Sequence, residues 1–196
     1  MKRQRRNRKE EILQAAAVHF AEHGFYGATL SKIAEAVDLT EPGLLHYFPS
    51  KELLLQEVLN YRDQKDMEKY QAILADKHTT VFEAMQDLVA VNQHRPGLVQ
   101  LFTVMVGECL NTAHPSHDFF VNRYQQLKNL LVMHLQAYVE KAELRVTIDL
   151  TQLAALIFAV MDGIQIQWLL DPDHFEMTTT FDLFSKMVQA YLGDED

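Results

Sequence analysis

The segment from residue 39 to residue 55, LTEPGLLHYFPSKELLL, combines side chains that could meet a polyanion with an apolar pair at helical spacing. Leu44 and Phe48 are four residues apart, so both would face the core if the segment forms a short helix. The residues that then lie toward solvent are Thr40, Glu41, Gly43, His46 and Tyr47. An exposed aromatic residue beside a histidine is unusual for a purely structural face, and it suits contacts to phosphate and sugar. A three-helix bundle without a nucleic-acid role has the same apolar spacing and remains the alternative.

The charge of the chain is divided unevenly, although its net charge of −9 at first argues against nucleic acid. Residues 1–51 hold eight Lys or Arg and six Asp or Glu, a net charge of +2, whereas residues 52–196 carry −11. Six of the eight basic residues precede Glu10 and form a basic arm from Lys2 to Lys9. This asymmetry predicts that the N-terminal part meets polyanions, with an arm that contacts phosphates or enters the minor groove. A merely solvated tail is the alternative.

Three short helices are predicted to position these side chains. Apolar residues over 9–23 recur at helical spacing, and Gly24 would end that helix because it can adopt positive φ. Thr29 is placed to cap a second helix, and Thr40 a third. Pro49 and Ser50 are predicted to stop the third helix and to cap a fourth, longer helix that begins at Lys51. The connectors are short, so the pattern predicts a helix-turn-helix, in which one helix lies across the DNA backbone and the next enters the major groove.

The rest of the chain is also predicted to be helical. The whole chain has few turn signals, with seven glycines and five prolines, and no strand alternation competes with the helical periodicity. The predicted helices span about 51–75, 79–93, 96–112, 117–143, 149–170 and 176–192. We therefore predict an all-α fold in which residues 1–51 form the basic arm and helix-turn-helix domain. Residues 52–196 are predicted to form a helical effector-binding and dimerisation domain.

The expected setting is the cytoplasm. The single cysteine, Cys109, cannot form an intrachain disulfide, and the charged first residues lack the apolar segment of a secretory signal. The longest apolar run, residues 153–170, is interrupted by Asp162 and Gly163, so we expect no membrane-spanning helix and a soluble protein.

Two sets of residues could bind metal. His19, Glu22 and His23 match the H-x-x-E-H pattern of zinc hydrolases, in which two histidines bind zinc and the glutamate activates water. Five residues match easily by chance, however, and Gly24 would end the helix at once. The second set is Cys109, His114, His117 and His134. Solvated or individually hydrogen-bonded histidines explain this set better, so we expect no metal, no cofactor and no enzymatic activity.

Several sequence elements together resemble a known family. Residues 11–54, EILQAAAVHFAEHGFYGATLSKIAEAVDLTEPGLLHYFPSKELL, contain Ile-Leu-x-Ala-Ala, Phe-x-x-x-Gly-Phe, Thr-x-x-x-Ile-Ala and Phe-x-Ser-Lys-Glu-x-Leu in order. This stretch resembles the DNA-binding domain of TetR-family transcriptional regulators. Residues 162–170, DGIQIQWLL, are similar to a segment near the C-terminus of one subgroup of these regulators. The resemblance implies an all-helical dimer that binds DNA and a small-molecule effector.

The resemblance also implies roles for particular residues. Thr29 and Lys51 match positions that bind DNA phosphate, and His46 and Tyr47 match positions that touch the DNA backbone. The full set of DNA-binding residues implied in this way is Thr29, Lys32, Thr40, Glu41, Gly43, Leu45, His46, Tyr47 and Lys51.

Three of the residues in this segment depart from the family pattern. Leu45 stands where tyrosine is usual, Pro42 where a small residue is usual, and Gly43 where threonine is common. Leu45 could instead touch a thymine methyl group, and Glu41 could accept a hydrogen bond from a cytosine amino group.

The second part of the chain has the composition of an effector pocket. Flexible and aromatic side chains with isolated carboxylates line apolar pockets that orient a ligand, although ordinary core packing is the alternative for each residue. The predicted ligand-binding residues are Phe102, Met105, Glu108, Met133, Phe158, Asp162 and Trp168.

The last two helices have dense apolar faces, which in TetR-like proteins pair across a two-fold axis. The residues assigned to these faces are Leu153, Leu156, Ile157, Val160, Ile164, Trp168, Phe181, Phe184, Met187, Val188 and Tyr191. The chain is thus predicted to be a homodimeric repressor that binds a palindromic operator and is released by a largely apolar small molecule.

Overall fold

The computed structural model describes residues 2–74 and 79–193, with the side chains from residue 8 onward. Within these ranges the chain contains helices and no strand, so the predicted all-α fold is confirmed. The helices are α1 Lys2–Gly27, α2 Leu30–Glu35, α3 Glu41–Leu45, α4 Lys51–Leu74, α5 Val81–Gln93, α6 Pro96–Cys109, α7 His117–Lys141, α8 Leu150–Leu170 and α9 Met177–Gly193.

The first helix begins earlier than predicted, and Gly24 has the predicted positive φ. α1 begins at Lys2 rather than Lys9, because the arginines, lysines and glutamine of the basic arm are good helix formers. The Arg8 guanidinium pairs with Glu11 at 2.7 Å and also donates to the backbone carbonyl of Val37. Gly24 interrupts the helix with φ 67° and ψ −179°, so the helix resumes in a new direction for one short turn.

Two compact units divide the described chain. The first consists of the residues up to Asp66 together with Pro96–Phe120, and α6 packs there against α1. Its core holds apolar residues that are almost fully buried: Ile12, Ala16, Phe20, Ile33, Leu44, Leu54, Leu101 and Met105. The helix-turn-helix and α6 therefore share one hydrophobic core. The predicted functional boundary between residues 51 and 52 stays a prediction.

The second unit consists of Met67–Arg95 and the described residues from Val121 onward. Here α9 packs against both α5 and α8. A capping box begins α5, in which Thr80 and Glu83 satisfy each other's backbone N–H groups. Gln86 and Gln93 bond to the backbone of Thr178 at 2.9 and 3.3 Å, which fixes the start of α9. These polar contacts determine the register of α9 against α5.

Helix α8 spans the predicted range without a break. By length and composition alone it could cross a membrane, with a mean hydropathy of 1.7 over its most apolar window. One helix of this kind is weak evidence for a membrane span, because core helices pass the same test. Asp162 lies within this helix, and its carboxylate accepts a hydrogen bond from Tyr124 at 2.7 Å. The buried face of α8 is Leu153, Ala154, Ile157, Met161, Ile164 and Trp168.

Candidate nucleic-acid interface

Threonine caps begin the two helices of the helix-turn-helix. The Thr29 hydroxyl accepts a hydrogen bond from the Lys32 backbone N–H at 3.4 Å, and the Thr40 hydroxyl accepts one from Gly43 at 3.2 Å. Between them, Asp38 adopts φ 52°, a conformation that asparagine and aspartate tolerate better than other non-glycine residues. Both predicted caps are confirmed, and they orient α2 and α3 about a tight turn.

Helix α3 has the buried and exposed faces that the spacing predicts. Leu44 is 0% and Phe48 3% exposed, so they anchor the helix in the core. Thr40, Glu41 and His46 are exposed, and the other outer positions are partly exposed: Gly43, Leu45 and Tyr47. The His46 and Tyr47 rings meet edge to face, with their centroids 5.9 Å apart. The outer face therefore presents a carboxylate, a hydroxyl and two aromatic rings.

The structure explains why position 43 is a glycine, which could not be predicted from the sequence. A Cβ at this position would lie 3.3 Å from the Thr40 hydroxyl oxygen and 3.7 Å from a methyl group of Leu39. A side chain would therefore press on the cap that begins α3. The missing Cβ costs a possible base contact, but it leaves room for the capping hydrogen bond.

Lys32 and Lys51 are the two predicted lysines of the interface, and their surroundings differ. The Lys32 ammonium binds the Glu35 carboxylate at 2.9 Å on the open surface, and this hydrogen bond raises the pKa of Lys32. A DNA phosphate would have to compete with Glu35 for it. The Lys51 ammonium lies 4.7 Å from the centroid of the Phe25 ring. Burial at this position lowers the pKa of Lys51, and the negative charges of Glu52 and Glu108 oppose this shift.

Lys51 also stands at a well-defined helix start. The Ser50 hydroxyl accepts a hydrogen bond from the Leu53 backbone N–H at 3.2 Å, which caps α4 as the sequence predicts. The first turn of α4 therefore has a fixed orientation, and the ammonium rests on an aromatic face.

The basic arm continues α1 as helical backbone. An α-helix with its side chains is about 10–12 Å across, whereas the minor groove of B-DNA is about 6 Å wide, so a helical arm fits an undistorted minor groove poorly. Lys9, its last basic residue, lies over the Phe48 ring at 5.4 Å from the centroid. In this form the arm is suited to phosphate contacts, and its entry into the minor groove stays an untested prediction.

The residues of the zinc-hydrolase hypothesis do not form a metal centre. The His19 and His23 rings are 5.9 Å apart, and His23 lies 3.7 Å from the carboxylate of its neighbour Glu22. In the part of the chain that the structure describes, no group of three or more His, Cys, Asp or Glu side chains could hold a metal ion. The zinc-hydrolase alternative therefore has no support.

The second predicted metal set consists of individually hydrogen-bonded residues, as the favoured interpretation held. The His114 Nδ1 atom lies 3.1 Å from the Cys109 sulfur and accepts the Ser116 backbone N–H, also at 3.1 Å. His117 bonds to the Cys109 carbonyl at 2.8 Å. In the other unit, His134 bonds to the Tyr70 hydroxyl at 2.9 Å.

Comparisons with known proteins agree with this geometry. Residues 12–58 match the family described as bacterial regulatory proteins, tetR family. Residues 79–193, more than half of the chain, match the BetI-type transcriptional repressor C-terminal family. The chain belongs to the TetR family. It is a DNA-binding transcriptional regulator, as its helix-turn-helix predicts.

Individual TetR-like proteins are similar over almost the whole chain. The nucleoid occlusion factor SlmA of Photobacterium profundum is 25% identical over 195 residues, covering 95% of this chain and 96% of that protein. A transcriptional regulator from Saccharomonospora viridis, solved in complex with choline, has a TM-score of 0.79 at 18% identity, covering 95% and 98%. The fatty acid degradation regulator FadR from Bacillus halodurans has a TM-score of 0.76 at 22% identity, covering 95% and 99%.

The predicted effector residues of this TetR-family chain lie in both compact units. Phe102, Met105 and Glu108 belong to the first unit. Met105 is fully buried, and the Arg62 guanidinium lies 3.4 Å from the centroid of the Phe102 ring. Glu108 accepts a hydrogen bond from the Phe25 backbone N–H at 2.7 Å.

The other four belong to the second unit. Met133 is 58% exposed, Phe158 is half-buried and Trp168 is buried. Burial raises the pKa of Asp162, and its hydrogen bond from Tyr124 opposes that shift. A shallow cavity of about 220 Å³, part of it open solvent, lies nearby and is lined by Val89, Asn92, Met161, Ile164, Gln165, Met177 and Phe181. None of the seven predicted effector residues lines this cavity.

Sequence reasoning missed the residues behind the interface. Phe25 supports Lys51, and Arg8 reaches the backbone of Val37 at the end of α2. The Phe-x-x-x-Gly-Phe element contains Phe25, but its spacing shows neither contact. Both depend on helices that meet only in the folded unit.

Proposed function

We propose that the chain is a ligand-responsive repressor that binds a palindromic operator as a homodimer in the cytoplasm and acts by binding rather than catalysis. One observation carries this proposal. Leu44 and Phe48 are buried while Thr40, Glu41 and His46 on the outer face are exposed, and Lys51 begins the next long helix. A helix-turn-helix with this outer face is suited to the major groove, with phosphate contacts at its border.

The proposed contacts differ in what they recognise. Thr29, Lys32, Thr40, His46, Tyr47 and Lys51 are assigned to phosphate and sugar, and such contacts fix register without reading sequence. Glu41 is assigned to a cytosine amino group and Leu45 to a thymine methyl group. Gly43 allows close approach of the α3 backbone. Most of the affinity then comes from the DNA backbone, and sequence preference rests on few side chains.

Dimerisation is proposed through apolar residues that the chain leaves exposed on α8 and α9. Six of the residues first assigned to this interface are buried within their own unit: Leu153, Ile157, Ile164, Trp168, Phe181 and Val188. Leu156, Met187 and Tyr191 of the first assignment are exposed, and Ile166, Leu170 and Leu183 are exposed beside them, so that these six residues are 46–80% exposed. A C2 dimer would cover this surface on both copies.

The proposed effector is a small, largely apolar molecule. Two of the similar solved structures are named for choline and for fatty acid degradation, which fits an effector with an apolar body and one polar group. The predicted residues Phe102, Met105, Glu108, Met133, Phe158, Asp162 and Trp168 remain the assignment for its site. Because effector and operator would bind different states of one dimer, each must weaken the binding of the other by the same factor.

Selection of bound duplexes from a random DNA pool tests this function. We expect enrichment of a palindrome with half-sites about 34–36 Å apart, or a multiple of that distance. Small molecules are then screened for release of the selected duplex. Failure to enrich any sequence would contradict specific regulation. Enrichment of a sequence without two-fold symmetry would contradict the dimer.

A further inference from the structure

We propose that Glu108 is a positioning residue for DNA binding. Through the backbone of Phe25, it holds the aromatic ring on which the Lys51 ammonium rests. This inference rests on the proposed phosphate role of Lys51. It assigns to Glu108 a task different from the effector contact that the sequence predicts.

The kink at Gly24 separates two groups that a continuous helix would join. In an unbroken α-helix the Phe25 N–H donates to the carbonyl of Ala21, four residues earlier. At the kink the Phe25 N–H donates to Glu108 Oε2 at 2.7 Å, and the Ala21 carbonyl accepts from Gln100 Nε2 at 3.2 Å. Both partners come from α6, so this helix replaces the interrupted hydrogen bond of α1.

The Gly24 backbone makes room for this contact. The Glu108 carboxylate occupies the space that a Cβ on Gly24 would need, and its Cδ atom would lie 3.0 Å from that Cβ. Gly24 also has φ 67°, which glycine adopts without steric cost. Positive φ and the missing side chain both let α6 reach the backbone at this position.

The contact extends to the DNA-binding surface through one ring. Phe25 is 6% exposed, and its ring packs against the ring of Phe20 at a centroid distance of 6.3 Å and carries Lys51 at 4.7 Å. Because the Glu108 carboxylate fixes the Phe25 N–H, it also restricts the position of the Phe25 side chain. Without the hydrogen bond to Glu108, the backbone of Phe25 would no longer hold the ring beneath the Lys51 ammonium in place.

The imidazole of His114 is a second neighbour of the Glu108 carboxylate. His114 Nε2 lies 3.6 Å from the same oxygen that accepts the Phe25 N–H, and the His114 ring packs edge to face on Phe25 at 5.1 Å. These contacts hold the carboxylate oxygen beside the Phe25 N–H.

Reach and charge can be separated by two conservative variants. Glu108→Gln keeps an oxygen at the same distance and removes the charge, whereas Glu108→Asp keeps the charge and is one methylene too short. We expect Glu108→Asp to bind sheared mixed-sequence DNA about threefold to tenfold more weakly, and Glu108→Gln to bind nearly as tightly as the wild type. The reverse order would show that charge matters rather than position, and would overturn the inference.

A double-mutant cycle ties the effect to Lys51. In a Lys51→Ala background, Glu108→Asp should have almost no further effect on DNA affinity, because the group that it positions is gone. Additive effects would overturn the inference. A Lys51→Ala variant with unchanged affinity and salt dependence would instead reject the proposed phosphate contact, so the two failures are distinguishable.

Gln100→Ala is the matched control. It removes the other hydrogen bond from α6 to the kink but touches neither Phe25 nor Lys51. Its DNA affinity should stay close to that of the wild type, and its thermal unfolding shows how much a hydrogen bond at the kink contributes to stability. Equal losses of DNA affinity in Gln100→Ala and Glu108→Asp would mean that general loosening of α1, rather than positioning of Lys51, is responsible.

Discussion

The carboxylate of Glu108 lies where the side chain of any residue other than glycine at position 24 would begin. Gly24 adopts φ 67°, and Glu108 bonds to the next backbone N–H along the chain. Two separate physical requirements therefore fall on one glycine. The positive φ of Gly24 and its missing side chain both allow α6 to contact α1 just before the helix-turn-helix.

Gly24→Ala should destabilise the first unit. Gly24 has φ 67° and ψ −179°, a combination almost restricted to glycine, so an alanine there costs about 1–3 kcal/mol, and displacement of the Glu108 carboxylate adds to that loss. We expect a free energy of unfolding lower by about 2 kcal/mol, measured from denaturant midpoints. Gly107→Ala is the control, because its added Cβ would meet nothing within 4 Å and should stabilise α6 by up to about 1 kcal/mol. Equal stability of the two variants would contradict this account of Gly24.

Lys51→Ala should weaken binding to every DNA sequence by a similar factor. The loss of one phosphate contact lowers the slope of log affinity against log salt by about 0.9. Affinities for the selected palindrome and for mixed-sequence DNA, measured over a range of salt concentrations, check both statements. Lys65→Ala, a lysine of α4 with its ammonium 5.9 Å from the Tyr61 ring, is the control and should leave the slope unchanged. A loss confined to the palindrome would reject the phosphate role.

Removal of residues 1–7 tests the basic arm. This truncation deletes four of its six cations, Lys2, Arg3, Arg5 and Arg6, and keeps the Arg8 contact to Glu11. Each phosphate that the arm neutralises should appear as a loss of about 0.9 in the salt slope, together with weaker binding. An unchanged slope at unchanged stability would identify the arm as a solvated helix end.

Stability should fall in mild acid because of His114. Burial holds the pKa of folded His114 below its ordinary value of 6.5, and the charge of Glu108 opposes this shift only in part. Between the folded and unfolded pKa values, the unfolded chain binds a proton that the folded chain does not, so stability falls as the pH drops below 6.5. Urea midpoints at a series of pH values measure this loss.

His114→Asn is the control for that pH series. Asparagine can still accept the Ser116 backbone N–H, and it does not titrate. The pH dependence of its stability should be shallower, with a remainder from His134, whose pKa burial also lowers. An identical pH dependence in the variant and the wild type would assign the acid sensitivity to other groups.

Leu183→Glu with Met187→Glu should produce monomers. These side chains are 61% and 63% exposed on α9, and a dimer interface over them would bury two unpaired charges per copy. We expect self-association to weaken by at least about tenfold per side chain, measured by analytical ultracentrifugation. Leu110→Glu is the control, since Leu110 is 79% exposed but lies outside α8 and α9. A dimer that survives the double change would reject this interface.

Local features of the fold could be predicted from the sequence, because local physics decides them. Thr29, Thr40 and Ser50 were readable as caps from their position before apolar periodicity, and all three accept the expected backbone hydrogen bond. The helices were located to within a few residues. The start of α1 was misplaced because charged residues without an apolar face were read as an arm, although they are good helix formers.

Long-range contacts could not be predicted in the same way. Glu108 and Phe25 are 83 residues apart, and nothing in either local pattern shows that they meet. Glu108 was chosen from the sequence as an isolated carboxylate on an apolar helix and was assigned to the effector site. Which group it binds depends on how α6 packs on α1, and that arrangement is set by the whole core of the first unit.

Cys109 is the single cysteine of the chain, so its reactivity decides whether a label can be attached selectively to a cysteine introduced elsewhere. Cys109 is 4% exposed, and burial raises its pKa to about 11, so little reactive thiolate is present at neutral pH. Fluorophores or spin labels attached to a cysteine introduced on α3 would therefore report from that position alone. Distances between the two recognition helices of a dimer, with and without a small molecule, can be followed in a chain that keeps its native cysteine.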